Sequence, residues 1–256
     1  MKQNLIKRKI ADQQAVIGPN LQIDHPWIIE IIGNAGFDWV MIDGEHGAAF
    51  SSALPSLIIA AENAGMTPIV RVPSHERGYI IHALEAGAGG VQVPFVDTPE
   101  EAIALVRQTK YPPLGQRGFS NVTRAGEYGA LAPDAHMENA NREQMLIVQI
   151  ETETGLRNAD RIADVPGVDG VFVGPCDLAQ SLGLPVRSDG LEVRQAVKGI
   201  FDRIRGKEVF SGTSAVTEEE VRYWSAEGVQ LFVTGSMNVI RRGFEALNSE
   251  LRSGLS

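Results

Sequence analysis

Short apolar, β-branched runs alternate with longer amphipathic runs along the whole sequence. The short runs predict eight β-strands. In chain order they are "AVIG" (15–18), "DWVMID" (38–43), "PIVRV" (68–72), "GGVQVPF" (89–95), "MLIVQIE" (145–151), "GVFVGP" (170–175), "VFSGTSA" (209–215) and "LFVTGS" (231–236). Most are separated by helical patterns such as "PEEAIALVRQT" and "LEVRQAVKGIFDRI". This alternation favours a parallel sheet, and eight such units favour one closed α/β domain, a (β/α)8 TIM-type barrel over residues 1–256.

Two segments depart from the regular alternation. Between the fourth and fifth predicted strands a long segment with "YPPLGQRGFS" follows a single helix, and we expect an elaborated loop near the mouth of the barrel. The last helical pattern, "NVIRRGFEALNSELRSGL", carries an apolar stripe that must be buried against its own barrel or a neighbouring chain. The stripe consists of Val239, Ile240, Phe244, Leu247 and Leu251.

Charge and composition narrow the range of partners. The chain has 23 basic and 32 acidic residues, a formal net charge of -9, so phosphate backbones are repelled and nucleic acid is not an expected partner. The single cysteine, Cys176, allows no intrachain disulfide. The amino-terminal residues have no long apolar stretch, and no apolar run reaches the length of a membrane span. We therefore expect a cytoplasmic protein with no membrane partner.

Polar side chains occur at the carboxyl ends of four predicted strands. They are Asp43, Glu45 and His46 after the second strand, Arg71 on the third, Gln149 and Glu151 on the fifth, and Asp177 just past the sixth. The carboxyl ends of the strands carry the active sites of such barrels, so these side chains are expected at one mouth. Gln149 and Glu151 are two residues apart and should face the same side.

The two carboxylates Glu151 and Asp177 favour a hard divalent cation, Mg2+ or Mn2+, with Co2+ as an alternative. Two protein ligands would leave positions for a substrate carboxylate and keto oxygen. A cation together with Arg71 would form a site for a developing enolate. His46 is the natural proton shuttle of the group, and Asp43 is placed to orient its imidazole.

A Schiff-base alternative needs a lysine inside the barrel mouth. The chain has six lysines, and none lies in a predicted strand, so carbonyl chemistry would depend on a metal rather than an imine. Cys176 is expected to be a small buried residue beside the site. The role of Glu45 stays open: it could brace Arg71, bond a metal-bound water or contact an adjacent subunit.

Six longer motifs occur in order along nearly the whole chain: "DWVMIDGEHG", "RVP", "VQVPFVDTPEEA", "KYPPLGQRG", "VQIETETGL" and "VDGVFVGPCDLAQSLG". Together they resemble the HpcH/HpaI family of metal-dependent aldolases, which includes 4-hydroxy-2-oxoheptanedioate and 2-keto-3-deoxy sugar acid aldolases. The resemblance implies a barrel whose C-terminal helix is swapped onto a neighbour in a homohexamer, a dimer of trimers. It also implies class II aldolase activity, the reversible cleavage of a 4-hydroxy-2-oxo acid to pyruvate, or hydroxypyruvate, and an aldehyde.

The resemblance also implies roles for individual residues. Metal ligands are implied at Glu151 and Asp177, and the keto-oxygen contact at Arg71. The catalytic base, acting through metal-bound water, is implied at His46 with Asp43 as its dyad partner, and the substrate-carboxylate contact at the main-chain N–H groups of Cys176 and Asp177. Apart from the resemblance, Gln149 is expected to bond either metal-bound water or substrate. Three positions depart from the family pattern: Glu85 stands where an Asp contacts the aldehyde side, Ser214 where an apolar residue is common, and Met237 where an acid is common.

Two other classes of function remain as alternatives. The same site could decarboxylate oxaloacetate or act as a lyase on acyl-CoA thioesters, although a CoA site would need a basic groove that the sequence does not indicate. A non-catalytic binding protein on a degenerate barrel would be marked by loss of the metal, enolate or base residues. All four of these are present: Glu151, Asp177, Arg71 and His46.

Overall fold

The eight strands form a closed barrel in which every neighbouring pair is parallel and follows chain order. This computed structural model describes residues 3–47 and 52–255. Strands β1 to β8 are Val16–Leu21, Trp39–Asp43, Thr67–Arg71, Gly90–Val93, Met145–Ile150, Gly170–Val173, Phe210–Ser214 and Leu231–Gly235. Each predicted strand is present, and the predicted (β/α)8 barrel is confirmed.

Helices surround the barrel. In the described part of the chain, α1 to α11 are Leu5–Ala11, Pro26–Asn34, Leu54–Asn63, Arg77–Glu85, Pro99–Thr109, Pro133–Glu143, Glu153–Ala163, Pro175–Ser181, Leu191–Ile204, Glu218–Ala226 and Ser236–Ser253, with a 3-10 helix at Arg124–Gly129. Local chemistry sets some of their ends. Thr98 and Glu101 form a capping box at the start of α5, and the hydroxyl of Thr98 accepts from the N–H of Glu101 at 3.2 Å.

The strands alternate between an inner and an outer face. Outward side chains form the main core with the helices. Inward side chains fill the lower part of the barrel with apolar groups, among them Met41, Ile69 and Ile147. Helix α1 closes the amino-terminal end of the barrel, where Ile6 joins this inner cluster and is fully buried. The carboxyl end is left to polar side chains.

The long segment between α5 and β5 lies at the amino-terminal end of the barrel, so its predicted position near the mouth is wrong. Lys110, at its start, donates to the carbonyl of Gln144 at 2.7 Å and to Asp169 at 2.9 Å, just before β5 and β6. Arg124 donates to the carbonyl of Ala86 at the end of α4 at 3.0 Å. The reason is topological, because a segment that leaves the end of a helix and enters the start of a strand begins and ends at that end of the barrel.

Helix α11 does not bury its apolar stripe within its own chain. Val239, Phe244, Leu247 and Leu251 are 50–69% exposed, and Ile240 is half-buried. A single chain therefore leaves the stripe available to another surface, and the predicted swap onto a neighbour stays a prediction. No helix within residues 3–47 and 52–255 is both long and apolar enough to cross a membrane.

Candidate active site

Asp43 and Arg71 form a buried ion pair at the carboxyl ends of β2 and β3. The two residues are register partners on adjacent strands. Arg71 donates from Nε to Oδ1 at 3.0 Å and from Nη2 to Oδ2 at 2.7 Å, and Asn20 of β1 donates to Oδ2 at 3.1 Å. Burial acts to raise the pKa of Asp43, but the hydrogen bonds and charge of Arg71 outweigh it and lower that pKa. Asp43 is therefore ionised and fixes the plane of the guanidinium.

The same carboxylate shapes the turn that carries His46. Oδ1 of Asp43 accepts from the main-chain N–H groups of Glu45 and His46, both at 3.1 Å. Asp43 thus contacts the backbone of His46, while the imidazole Nε2 lies 3.8 Å from Oε2 of Glu45. The predicted dyad between Asp43 and the imidazole is not among the contacts in the described residues and stays a prediction. The loop continues into residues 48–51, which lie outside the described residues.

Glu45 braces Arg71. Its Oε2 lies 3.1 Å from Nη1 of Arg71, on the side of the guanidinium away from Asp43. Burial raises the pKa of Glu45, while the charges of Arg71 and His46 act to lower it. This contact is the one expected if Glu45 braces Arg71; the other two roles, toward a metal-bound water or an adjacent subunit, stay predictions.

Glu151 lies directly after β5 and is only 1% exposed. Its Oε1 accepts from the main-chain N–H of Phe95 at 2.9 Å, and its Oε2 accepts from the side-chain amide of Gln149. Gln149 in turn accepts at Oε1 from the amide of Gln92 on β4. Gln149, predicted as a substrate contact, therefore uses its amide to hold Glu151.

Phe95 reaches Glu151 only because its backbone lies in the left-handed region, with a φ of 53°. This conformation is uncommon for a bulky residue, and such residues concentrate at functional sites. The turn aims the main-chain N–H into the barrel, while the phenyl ring is 48% exposed. Glu151 thus has a dedicated main-chain donor in addition to the side-chain amide of Gln149.

The turn after β6 passes against Glu151. A Cβ at Gly174 would lie 2.7 Å from Oε2 of Glu151, so this close approach requires glycine. The turn leads into the first turn of α8, where Asp177 is half-buried. Cys176, expected to be buried, is exposed.

The carboxylates at the mouth fit a divalent cation. Burial is the main cause that raises the pKa of Glu151, which reaches about 7. The negative charges of Glu45 and Asp177 also raise this pKa, while the hydrogen bonds from Gln149 and Phe95 act to lower it. A bound cation would remove this cost, and carboxylate oxygens are the ligands that Mg2+ and Mn2+ prefer. Within residues 3–47 and 52–255 no group of three or more His, Cys, Asp or Glu side chains is arranged to hold a metal, so the fit rests on the predicted pair.

Ser214 and Glu85, two other residues predicted to contact substrate, lie at opposite ends of the barrel. Ser214 ends β7 at the mouth and is half-buried, as a wall residue would be. Glu85 ends α4 and so lies at the opposite end of the barrel, where its charge acts on Tyr111 and Arg117. Glu85 therefore does not lie at the mouth of its own chain, and its predicted aldehyde contact stays a prediction.

Buried Lys110 is also at the wrong end for imine chemistry. Burial lowers its pKa, as in Schiff-base enzymes, but it donates to Gln144 and Asp169 at the amino-terminal end of the barrel. Lys110 therefore lies away from the mouth, and the expectation of a site that does not use an imine stays a prediction.

Four residues that shape the mouth were not predicted as site residues: Asn20, Gln92, Phe95 and Gly174. Asn20 and Gln92 are polar residues inside otherwise apolar strands, which was the available signal. Gly174 is visible in "GPCD" only once the position of Glu151 is known. The left-handed turn at Phe95 has no signal in a single sequence.

Comparisons with known proteins agree with this geometry. The sequence profile of the family described as HpcH/HpaI aldolase/citrate lyase matches residues 20–239. The chain is 36% identical over 245 residues to the 5-keto-4-deoxy-D-glucarate aldolase of Shigella dysenteriae serotype 1, with 95% of each chain covered.

Solved structures have the same fold. A crystal structure of the citrate synthase SbnG is 34% identical, with a TM-score of 0.88 over 98% of both chains. An HpcH/HpaI aldolase/citrate lyase family protein from Burkholderia cenocepacia J2315 is 31% identical, with a TM-score of 0.90 over 97% of this chain and 99% of the other. With this match in sequence and architecture, the chain belongs to the HpcH/HpaI aldolase/citrate lyase family, a family of lyases.

Proposed function

We propose that this protein is a divalent-metal-dependent aldolase that reversibly cleaves 4-hydroxy-2-oxo acids to pyruvate, or hydroxypyruvate, and an aldehyde. The observation that carries this proposal is the buried carboxylate of Glu151, held by two donors and facing Asp177 and Arg71 at one mouth. The sugar-acid aldolase relative favours a polyhydroxylated keto acid as substrate. Mg2+ and Mn2+ are the proposed metals, with Co2+ as an alternative.

In this proposal Glu151 and Asp177 hold the metal. A bound divalent cation would polarise the 2-oxo group and so make the protons on the neighbouring carbon more acidic. Glu151 is presented for this by two fixed hydrogen bonds, and Asp177 by the first turn of α8. Gly174 keeps the space between the turn and Glu151 open.

Arg71 receives the charge that develops on the 2-oxo oxygen. Its guanidinium has five N–H donors, of which two are used on Asp43 and one faces Glu45, so donors remain for a substrate oxygen. Two carboxylates hold it in a fixed plane before substrate arrives. A preorganised donor of this kind stabilises a developing oxyanion without rearrangement.

His46 is the proposed base. In the cleavage direction it takes the proton of the C4 hydroxyl as the C3–C4 bond breaks, the electron pair of that bond passes to the 2-oxo oxygen, and the carbonyl of the aldehyde forms. A proton then adds to C3 to give the methyl group of pyruvate. The imidazole is more than half exposed at the mouth, as a group that exchanges protons with substrate needs to be. Asp43, as its proposed dyad partner, fixes its backbone.

The substrate carboxylate is proposed to bind the main-chain N–H groups of Cys176 and Asp177. Both lie in the first turn of α8, before the first helical hydrogen bond from Leu178 to Gly174 at 3.0 Å. Ser214 is proposed to contact substrate from the wall of the mouth. A contact from Glu85 would have to come from a second copy of the chain.

Proton exchange tests the function directly. The protein is incubated with pyruvate in D2O with Mn2+, with Mg2+ or with EDTA, and the methyl signal is followed by NMR. Deuterium incorporation that needs the metal is the expected result. If no divalent cation supports exchange in the wild-type protein while Glu151→Gln behaves identically, the proposal is wrong. Cleavage of 5-keto-4-deoxy-D-glucarate and a panel of aldehydes with pyruvate or hydroxypyruvate then identify the substrate.

The likeness to a citrate synthase favours a second candidate. The same mouth could join the methyl carbon of acetyl-CoA to the keto carbon of oxaloacetate, with water then cleaving the thioester to release CoA and give citrate. It could also decarboxylate oxaloacetate to pyruvate. Both reactions develop negative charge on the 2-oxo oxygen of oxaloacetate. Incubation with acetyl-CoA and oxaloacetate, followed by NMR for citrate and pyruvate, separates these reactions from aldol cleavage. Citrate formation faster than pyruvate methyl exchange would favour this candidate.

We further propose that the chain acts as a single domain in a homohexamer, a dimer of trimers, with α11 swapped onto a neighbour. The exposed stripe on α11 supports an additional surface that covers it. A cytoplasmic location, with small keto acids and aldehydes as the partners, is part of the same proposal.

A further inference from the structure

The floor of the mouth contains a buried glutamine that the proposed chemistry leaves without a role. Gln92 lies on β4, is 0% exposed, and is the register partner of Arg71 on β3 and Ile147 on β5. Ile147 and Ile69 belong to the apolar filling of the barrel. An amide in this interior is costly unless it is hydrogen-bonded, so an apolar side chain would be the simpler choice for stability.

Two hydrogen bonds connect Gln92 through Gln149 to Glu151, the proposed metal ligand, and each residue donates to the next. An ionised Glu151 can only accept, so Gln149 must present its amide nitrogen to it. The amide oxygen of Gln149 then faces Gln92, which must present its own nitrogen. Both contacts are present, Gln92 Nε2 to Gln149 Oε1 and Gln149 Nε2 to Glu151 Oε2. The oxygen of Gln92 is left buried without a hydrogen-bond partner.

We propose that Gln92 is a positioning residue for the divalent-metal site, which acts by holding the Gln149 amide in the orientation that donates to Glu151. Without the donor from Gln92, the amide of Gln149 can turn over and place its oxygen against the carboxylate, where lone pairs repel. Glu151 then keeps only the main-chain hydrogen bond from Phe95 and loses its fixed orientation. This inference rests on the proposed function, because it takes Glu151 as a ligand.

The unpartnered oxygen gives Gln92 a distinctive signature. A buried acceptor without a partner is destabilising, so a methionine of similar shape should fold at least as stably as the glutamine. The same change should weaken metal binding, because it removes the donor to Gln149. A residue with a merely structural role would show the opposite, a lower melting temperature with unchanged metal affinity.

Mn2+ titrations followed by EPR test the inference on the full chain. Gln92→Met should raise the Mn2+ Kd on the order of 10-fold, the usual effect of removing a group that orients a metal ligand, with an unchanged or higher melting temperature. Gln149→Met should raise it at least as much. The double variant should bind no more weakly than Gln149→Met, because Gln92 acts through Gln149. Ile147→Met, at the same level of the barrel, is the matched control and should keep the wild-type Kd.

The results of these titrations distinguish a failure of the role proposed for Gln92 from a failure of the proposed metal site. A wild-type Mn2+ Kd in Gln92→Met, or full additivity in the double variant, overturns the positioning role and leaves the metal site intact. An equal loss of affinity in Ile147→Met also overturns it, since any repacking would then be enough. If Glu151→Gln binds Mn2+ as tightly as the wild type, the proposed metal site itself is wrong and the inference falls with it.

Discussion

Arg71 donates to both oxygens of the Asp43 carboxylate, from Nε to Oδ1 at 3.0 Å and from Nη2 to Oδ2 at 2.7 Å. The same carboxylate holds the backbone of His46 at 3.1 Å. One buried acid therefore positions both Arg71, the proposed recipient of the developing charge, and the turn that carries His46, the proposed base. Asp43 consequently affects catalysis through two routes, which can be distinguished.

Asp43→Asn replaces one acceptor oxygen with a donor that faces Arg71. We expect a loss of about 3–5 kcal/mol in the free energy of unfolding, since a broken buried pair leaves an uncompensated charge. Pyruvate methyl exchange should fall about 100-fold through the displaced guanidinium, while the Mn2+ Kd stays constant. Calorimetry, NMR exchange and EPR measure the three quantities. Asp189→Asn, which removes a fully exposed ion pair with Arg187, is the control and should change none of them. Wild-type exchange in Asp43→Asn would contradict the positioning of Arg71.

His46→Ala should abolish pyruvate methyl exchange, with a loss of 100-fold or more (~10²–10⁴), because it removes the base. The Mn2+ Kd should stay at the wild-type value, because the metal candidates lie on other strands. The exposed His82 on α4 offers a matched control, and His82→Ala should leave both quantities unchanged. If His46→Ala instead loses Mn2+ binding, then His46 is a ligand and its assignment as the base is wrong.

The raised pKa of Glu151 predicts opposite pH trends for stability and metal binding. In the folded, metal-free protein its pKa is about 7 against an ordinary value of 4.5, so the protonated form is favoured by folding. Its contribution to stability is present below about pH 4.5 and is lost as the pH rises through about 7, an upper limit of about 3 kcal/mol. Metal binding needs the carboxylate and should tighten over the same range.

Differential scanning calorimetry in EDTA and Mn2+ titrations at pH 5.5 to 8.5 measure these trends. Relative to Glu151→Gln, the metal-free wild type should lose melting temperature as the pH rises, and added Mn2+ should restore it at pH 8. If the melting temperatures of the wild type and Glu151→Gln change with pH in the same way, the pKa of Glu151 is not raised by folding. A Mn2+ Kd independent of pH would show that the metal binds elsewhere.

The exposed stripe of α11 predicts an assembly that charge should break. Phe244→Glu with Leu251→Glu places two carboxylates on a face that is 63–69% exposed in one chain. We expect the wild type to elute as a hexamer in size-exclusion chromatography with light scattering, and the variant as smaller species that remain folded by circular dichroism. Ser249→Glu adds charge to the opposite face of the same helix and serves as the control. A wild-type mass in the double variant would leave the stripe without a role in assembly.

Much of the fold follows from local patterns. The apolar runs locate all eight strands because buried parallel strands need continuous apolar sequence, and the capping box at Thr98 and Glu101 locates the start of α5. The residues at strand ends could be gathered at one mouth because the topology places them there. The segment after α5 was misplaced because its length suggested a loop at the mouth, although a segment between a helix and the next strand lies at the amino-terminal end of the barrel. Glu85, singled out by the resemblance, lies at that same end because it is the last residue of α4.

The partners within the site could not be predicted in the same way. Asp43 precedes His46 by three residues, so sequence proximity suggested a contact with the imidazole, whereas strand register brings Asp43 beside Arg71. Gln92 and Gln149 are 57 residues apart, and only the closed sheet places their amides together. Interactions that depend on register and on side-chain direction need the folded sheet.

At Phe95, the main chain and the side chain have separate surroundings. Its hold on Glu151 comes from a main-chain N–H, which every amino acid except proline supplies, while its ring is half exposed at the mouth. The identity of the side chain can therefore change without removing the contact to the carboxylate, provided that the left-handed turn is kept. Position 95 is thus a place where the side chain at the mouth can be changed while the main-chain contact to Glu151 is preserved.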